Sequence, residues 1–200
     1  MNPVIIAIDG EASTGKSTQA KKIAEKFDYN YRDSGAYYRA ITLYLIQNNI
    51  NSNENINHSI LDNIALEQIY KDKKLTIYLN DIDVSEKIRG FKVSVNVSNY
   101  AKIPEIRNFV YKQLRKSVKS NSLVIDGRDI GTVVFPDATF KFFLSADPKI
   151  RAERRHKQIN DKSVKLESIE EEIKSRDNTD STRKIAPLKK ADDAYEIDVT

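Results

Sequence analysis

Residues Val4 to Asp9 form a short, continuous apolar run closed by Gly10, a pattern that suits a buried parallel strand better than a half-exposed one. A glycine-bracketed loop follows, and then Ala20, Ile23, Ala24 and Phe27 recur at i, i+3, i+4 and i+7, which predicts a helix with one buried face. Strand, loop and helix in this order open an α/β domain. A second helical pattern runs from Ala36 to Ile50 through Tyr37, Ile41, Tyr44 and Leu45, and the Asn-rich stretch Asn48 to Asn57 reads as a loop. Beyond it the spacing predicts a helix around Ile60 to Tyr70. Alternation of apolar and polar residues from Leu75 to Val84 about Asn80-Asp81 then predicts a hairpin, a small antiparallel insert. Pro104 to Val118 reads as a helix with Ile106, Val110 and Leu114 on one face. Leu123 to Asp126 and Phe140 to Leu144 are two more short buried strands. Ile150 to Ile159 and Leu166 to Arg176 are helical, the latter with Glu early and Lys174 and Arg176 late, as the helix dipole prefers. No repeat or low-complexity tract interrupts the chain, which ends at Asp198-Val-Thr200 without a closing helix.

Composition narrows the class. Two hundred residues suffice for one domain with a buried core. No stretch approaches the roughly 18 apolar residues of a membrane span, and the first strand begins too early for a signal peptide, so a soluble cytoplasmic protein is expected. Zero Cys excludes disulfides and thiolate metal sites, and 2 His cannot build a histidine-rich one. The balance of 33 Lys plus Arg against 29 Asp plus Glu, a net charge of +4, invites a nucleic-acid reading. No aromatic stacking motif or basic helix stripe accompanies that small excess.

The candidate chemistry assigns the charge differently. Gly10-Glu-Ala-Ser-Thr-Gly-Lys16-Ser17 fits G-x-x-x-x-G-K-[ST], between a strand and a helix as that motif requires. Glycines let successive N–H groups and the helix N-terminus face phosphate oxygens, Lys16 reaches the terminal phosphates, and the Ser17 hydroxyl can ligate Mg²⁺. A phosphate loop names a nucleoside triphosphate but no acceptor. Asp33-Ser-Gly-Ala-Tyr-Tyr-Arg39 sets a hydroxyl and an arginine at a loop-to-helix start, with Asp33 or Ser34 as cap. Asp126-Gly-Arg128-Asp129 follows a buried strand, where Asp126 is placed to hold Mg²⁺ directly or through water, and Arg128 and Asp129 project at the ligand-binding edge of the sheet. Arg151, Arg154, Arg155, Arg176, Asp180 and Arg183 lie in a basic stretch that is either a solvated helix face or a lid whose arginines stabilise transferring phosphate.

Taken in order, these segments resemble the bacterial cytidylate kinases over nearly the whole chain. The resemblance rests on Ile8-Asp-Gly10 with the phosphate loop, Asp33 to Arg39, Ile88-Arg89 and, most specifically, Asp126-Gly-Arg-Asp-Ile-Gly-Thr-Val-Val-Phe-Pro-Asp-Ala138. It continues through Arg151-Ala-Glu-Arg-Arg155, Arg176-Asp177, Arg183 with Ala186-Pro-Leu188, and Ala191 to Ala194 with Asp198. It implies an α/β P-loop NTPase fold, a parallel sheet flanked by helices, with a core over about 1–35, 100–150 and 177–200, a mononucleotide-binding region over about 36–99 and a lid over about 151–176. The implied activity is transfer of the γ-phosphate of ATP to CMP or dCMP with Mg²⁺, by a monomer without nucleic-acid or membrane partners.

By position, the resemblance gives Gly10, Glu11, Ala12, Ser13, Thr14, Gly15, Lys16, Ser17 and Thr18 to ATP, and Ser17 with Asp126 to Mg²⁺. Ser34, Arg39 and Arg128 fall on the CMP side and its phosphate. Ser98, Arg107 and Asp129 match the readers of cytosine, and Arg176 and Asp180 lie near the ribose. Lys16, Arg128, Arg154 and Arg183 carry catalysis. The residue chemistry agrees, because cytosine offers an amino donor for Asp129 and ring acceptors for Arg107. Two positions depart from the family pattern: Glu11 stands where a proline or alanine is usual, and Ser17 where glycine is common. A carboxylate beside a phosphate cradle is expected to point outward. The family also continues past Thr200 with a helix, so the resemblance implies that this helix is missing. Thymidylate and adenylate kinases share the phosphate loop, but Asp126 to Ala138 argues against them.

Overall fold

The computed structural model describes residues 3–118, 121–159 and 164–200. Its main sheet contains β1 (Ile5–Gly10), β2 (Asn30–Asp33), β6 (Leu123–Gly127), β7 (Phe140–Ser145) and β8 (Tyr195–Asp198), in the spatial order β2-β6-β1-β7-β8 and parallel throughout. Parallel strands are covered on both faces by their crossover helices, which is why Leu123 to Gly127 is buried at every position. All five strands also deliver their carboxyl ends to one edge. The order reverses at β1, so the segments after β1, β2 and β6 meet at the crevice where such sheets bind ligands.

Helix α1 (Lys16–Phe27) packs Ala20 and Ala24 on one face of the sheet against Ile8, Tyr31 and Val124. The larger core lies on the other face. There α2 (Ser34–Gln47), α4 (Phe91–Tyr100) and α5 (Pro104–Lys116) bury Ile41, Leu45, Val93, Ile106, Val110 and Leu114 against Ala7 and Ile125. Pro104 occupies the first turn of α5, where its missing N–H costs nothing. At the carboxyl side of the sheet, α6 (Pro148–Gln158) is capped by Asp147, which accepts from the N–H groups of Lys149 and Ile150, and is followed by α7 (Leu166–Thr182). A separate small apolar cluster joins Ala12 of the phosphate loop to Ala152 of α6 and to Ile169 and Ile173 of α7.

The expected hairpin is present as β4 (Lys74–Leu79) and β5 (Ile82–Asp83), with Asn80 and Asp81 both at positive φ, as a two-residue turn demands. The helix expected over Ile60 to Tyr70 is not. The helical turn α3 (His58–Leu61) ends there, and Leu66–Lys71 is β3, paired antiparallel to β4 across a second such turn at Asp72-Lys73. The inward face of β3 carries Gln68 between Leu66 and Tyr70, while Ile69 points outward at 41% exposure, so the apolar spacing mimics a helix. Helix α7 runs six residues past Arg176, to Thr182. The chain closes in β8, a strand at the sheet's edge. Residues 160–163 of the expected lid lie outside the described residues.

Candidate active site

The loop after β1 is shaped by close approach and by left-handed backbone. Gly10, at φ +146°, lies so near β7 that a Cβ would fall 2.0 Å from the Leu144 carbonyl oxygen, and Gly15, at φ +88°, turns the chain into α1. The amino end of α1 is thereby aimed at the carboxyl edge of the sheet with no side chain capping it. Lys16 is buried and folds back over its own loop, donating to the Glu11 carbonyl and, at 3.2 Å, to Thr14 Oγ1. Burial and then the Arg128 guanidinium hold its ammonium below the usual lysine range. Both forces favour an anion beside it.

Beneath the loop, Asp126 at the end of β6 accepts from Ser17 Oγ at 2.8 Å and from the Tyr31 hydroxyl at 2.7 Å. Burial, with Asp33 nearby, pushes its carboxyl up to about 6. A serine hydroxyl and one carboxylate, facing a phosphate cradle, form the sparse oxygen set that Mg²⁺ accepts while it keeps several waters and phosphate oxygens as ligands. The donor set therefore fits the ion expected here. Among the described residues no cluster of three or more His, Cys, Asp or Glu offers a denser metal site.

Across a cleft of about 1040 Å³ lies the second half of the site. Asp33 caps α2 by accepting from the Ala36 N–H, which leaves Ser34 free to donate at 2.8 Å to the Asp126 carbonyl. Gln68 of β3 closes on the Asp33 backbone from both sides, accepting from its N–H at 3.0 Å and donating to its carbonyl at 2.6 Å. The three-stranded insert is thus fastened to the start of α2, which carries Arg39. That arginine reaches Ser94 Oγ at 2.9 Å, and burial, then Arg176, lower its guanidinium to about 10.

At the back of the cleft, Arg107 of α5 donates to Asp129 Oδ2 at 2.6 Å. Tyr111, one turn along, donates to the same oxygen at 2.6 Å and accepts from Arg107 Nε at 2.9 Å. Burial would weaken the guanidinium's hold on its proton, but Tyr38 and Asp129 beside it outweigh burial and raise Arg107 above the usual range. Asp9 supports this corner. Its carboxylate accepts from the N–H groups of Ile130 and Gly131 at 2.9 and 2.7 Å and so fixes the turn that carries Asp129.

From α7, Asp180 accepts from Arg128 Nε at 3.0 Å, while Arg183 stands 3.6 Å from Asp129 and 3.5 Å from Asp180. Arg176 Nε and Arg183 Nη2 are buried with no hydrogen-bond partner among the described residues. Both guanidinium groups are held below their usual range, first by burial and next by a neighbouring arginine, Arg128 for Arg176 and Arg107 for Arg183. Eleven Lys and Arg line the cleft against six Asp and Glu. Buried donors without acceptors, in a cation-rich cavity, call for polyanionic ligands.

Most residues expected from the sequence meet here. Ala12 to Thr18, Ser34, Arg39, Ser98, Asp126, Arg128, Asp129, Arg154, Arg176, Asp180 and Arg183 all line the cleft. Gly10, Glu11 and Arg107 do not. Arg107 sits at 1% exposure behind Asp129, and the Glu11 carboxylate turns to Arg151 Nη2 at 3.3 Å. Arg154 currently donates to the Val199 carbonyl at 2.6 Å. Sequence reasoning misses Gln68, Tyr111 and Asp9. Tyr111 carries a signal in hindsight, because it lies four residues after Arg107 and so on the same helix face.

A phosphate loop at the switch point of a parallel sheet, facing an arginine-lined cleft, defines a P-loop phosphotransferase. The family profile described as cytidylate kinase matches residues 6–200. The chain belongs to the cytidylate kinase family. It is 47% identical over 203 residues to the cytidylate kinase of Fusobacterium nucleatum subsp. nucleatum, covering 100% of this chain and 91% of that protein. It is 49% identical over 204 residues to the cytidylate kinase of Clostridium tetani, covering 98% and 87%. A crystal structure of an uncharacterized protein from Eubacterium ventriosum ATCC 27560 shares the fold, with a TM-score of 0.51 at 17% identity over 98% of this chain and 90% of that one.

Proposed function

We propose that this protein is a (d)CMP kinase that transfers the γ-phosphate of ATP to the phosphate of CMP or dCMP, releasing ADP and CDP or dCDP. The observation that carries the acceptor assignment is the Asp129 carboxylate, which lines the cleft and is held at 2.6 Å by Arg107 buried behind it. That carboxylate offers an acceptor for the cytosine amino group and meets only a carbonyl oxygen at the same position of uracil, while Arg107 fixes its orientation from behind. Ser98 lines the same cleft and is assigned to the base with it.

In this reading Gly10 to Thr18 hold ATP, and Lys16 moves from its loop oxygens to the transferring phosphate. Ser17 and Asp126 would hold Mg²⁺, which when bound neutralises charge on the β- and γ-phosphates. Ser34, Arg39 and Arg128 take the CMP phosphate, and Arg176 and Asp180 take the ribose side. A CMP phosphate oxygen forms the new bond to the γ-phosphorus as the bond to the ADP oxygen breaks. The acceptor is already ionised, so positioning and charge stabilisation carry the step without a general base. Arg128, Arg154 and Arg183 stabilise the equatorial oxygens, and Arg154 must release Val199 to do so. Residues 36–99 act as the acceptor-binding region and 151–176 as the lid, around a core of 1–35, 100–150 and 177–200. A cytoplasmic monomer is the setting this reading assumes.

The test is an acceptor panel with ATP and Mg²⁺. CMP and dCMP should be phosphorylated well ahead of UMP, AMP, GMP and dTMP, and preference for any of those four over CMP would overturn the proposal.

A further inference from the structure

Arg151 is buried at 2% exposure, and both of its terminal nitrogens are turned to the phosphate loop and the Asp177 that holds it. Its Nε donates to the Ala146 carbonyl at 2.8 Å, its Nη1 to the Ala12 carbonyl at 3.0 Å and to Asp177, and its Nη2 pairs with Glu11 at 3.3 Å. Asp177 in turn accepts from the Ala12 N–H at 2.9 Å. The phosphate loop is therefore gripped at Ala12 by both its N–H and its carbonyl, through an Arg–Asp pair supplied by α6 and α7. The Ala12 methyl packs with Ala152, Ile169 and Ile173 of the same two helices. Within one turn of Asp177, α7 also carries Arg176 and Asp180, which line the cleft.

We infer that Arg151 and Asp177 are positioning residues that couple occupation of the phosphate loop to affinity for the acceptor nucleotide, with Glu11 as the third member of the grip. The inference rests on the reading that places ATP on the loop and CMP beside Arg176 and Asp180. A triphosphate fixes the loop in one arrangement, the grip at Ala12 transmits that arrangement to α7, and α7 sets Arg176 and Asp180. Neither Arg151 nor Asp177 has to touch a substrate. Coupling of this kind is reciprocal, so CMP must tighten ATP binding by the same factor. It also assigns a role to the carboxylate at position 11, which neutralises a buried guanidinium instead of facing phosphate.

The experiment is titration of CMP into the protein with and without saturating β,γ-imido-ATP and Mg²⁺, by calorimetry. In the unmodified protein the analogue should lower the CMP Kd about fivefold or more, within the usual range of coupling between sites. Arg151→Lys and Asp177→Asn, checked for folding by circular dichroism, should bring that ratio close to one, and Glu11→Gln should lower it partway. A general structural defect would weaken binding with and without the analogue alike and leave the ratio unchanged. A ratio near one in the unmodified protein, or an undiminished ratio in the variants, overturns the coupling. If the two buried variants fail to fold, Glu11→Gln decides, and an undiminished ratio there overturns it. If instead the analogue does not bind the unmodified protein, the reading of the phosphate loop itself fails, which is a separate result.

Discussion

Arg107 Nη2 and Asp129 Oδ2 lie 2.6 Å apart across 22 residues of sequence, and Tyr111 is bonded to both partners. The pair is self-satisfied before any base arrives, so its geometry is set in advance and little ordering is left to the binding step. Asp129→Asn replaces an acceptor-only group with one that can also donate, while leaving Arg107 buried with a weaker partner. The kcat/KM for CMP should fall about 10- to 100-fold, corresponding to the roughly 1–3 kcal/mol of a buried polar mismatch. The UMP to CMP ratio of kcat/KM should rise. Steady-state kinetics on both nucleotides checks this, and an unchanged ratio would show that Asp129 does not read the base.

Lys16 and Arg128 are predicted to matter for turnover rather than for folding. Lys16 makes its hydrogen bonds to its own loop, to the Glu11 carbonyl and Thr14, so truncation removes no hydrogen bond to another element among the described residues. Lys16→Ala should lower kcat by about 10² or more while the melting temperature shifts little. Arg128→Ala should lower kcat and raise the KM for CMP together, because it also releases Asp180. Near-normal turnover in either variant would contradict the assigned roles.

The parts of this site that are legible in the sequence are those where chemistry imposes spacing. Gly10, Gly15, Lys16 and Ser17 must stand at fixed separations for a loop to cradle phosphate, and Asp126 to Asp129 must follow a buried strand to reach the ligand edge. What stays hidden is held by long-range pairing. Asp177 meets Ala12 across 165 residues, and Gln68 meets Asp33 across 35, with nothing local to announce either contact. Helix α4 is masked differently. Val93, Val95 and Val97 alternate like a strand, yet Val93, Val97 and Tyr100 form the buried helical face while Val95 is 54% exposed. The reverse holds in β3, where outward Ile69 and inward Gln68 give a strand the apolar spacing of a helix.

Gln68→Ala tests whether the insert positions the acceptor site. The side chain is 4% exposed and satisfies both the N–H and the carbonyl of Asp33, the residue that caps α2. Its removal leaves two backbone groups short of partners, at a cost of about 1–3 kcal/mol in unfolding free energy. The KM for CMP should rise severalfold because α2 carries Arg39, while the KM for ATP should hold steady. Parallel increases in both constants would mean that the clamp serves stability alone.

Asp9 predicts a pH dependence with a definite sign. It is 5% exposed, and burial pushes its carboxyl up to about 6 from 3.8 despite the N–H groups of Gly131 and Ile130 that it accepts. Because the folded value exceeds the unfolded one, the folded protein holds this proton between about pH 4 and 6 while the unfolded chain has released it. Asp9 therefore favours the fold at the acid end of that window, and its contribution declines as the pH rises through it. Two pKa units correspond to about 3 kcal/mol. Asp126, also pushed up to about 6 by burial, adds a slope of the same sign, so the comparison must be between proteins. Asp180 is distinct: burial would raise it, but Arg128, Arg176 and Arg183 together lower it, so its stabilisation is lost only in stronger acid. Asp9→Asn cannot titrate, and like the protonated carboxyl it can accept well from only one of its two N–H donors, a loss of about 1–3 kcal/mol against the ionised carboxylate alone. Urea unfolding at steps from pH 4 to pH 7 should therefore give a variant whose stability changes visibly less across that range than the unmodified protein's. An identical slope in the two proteins would place the proton elsewhere and leave Asp9 ionised, as a carboxylate held by the two N–H groups that fix the Asp129 turn.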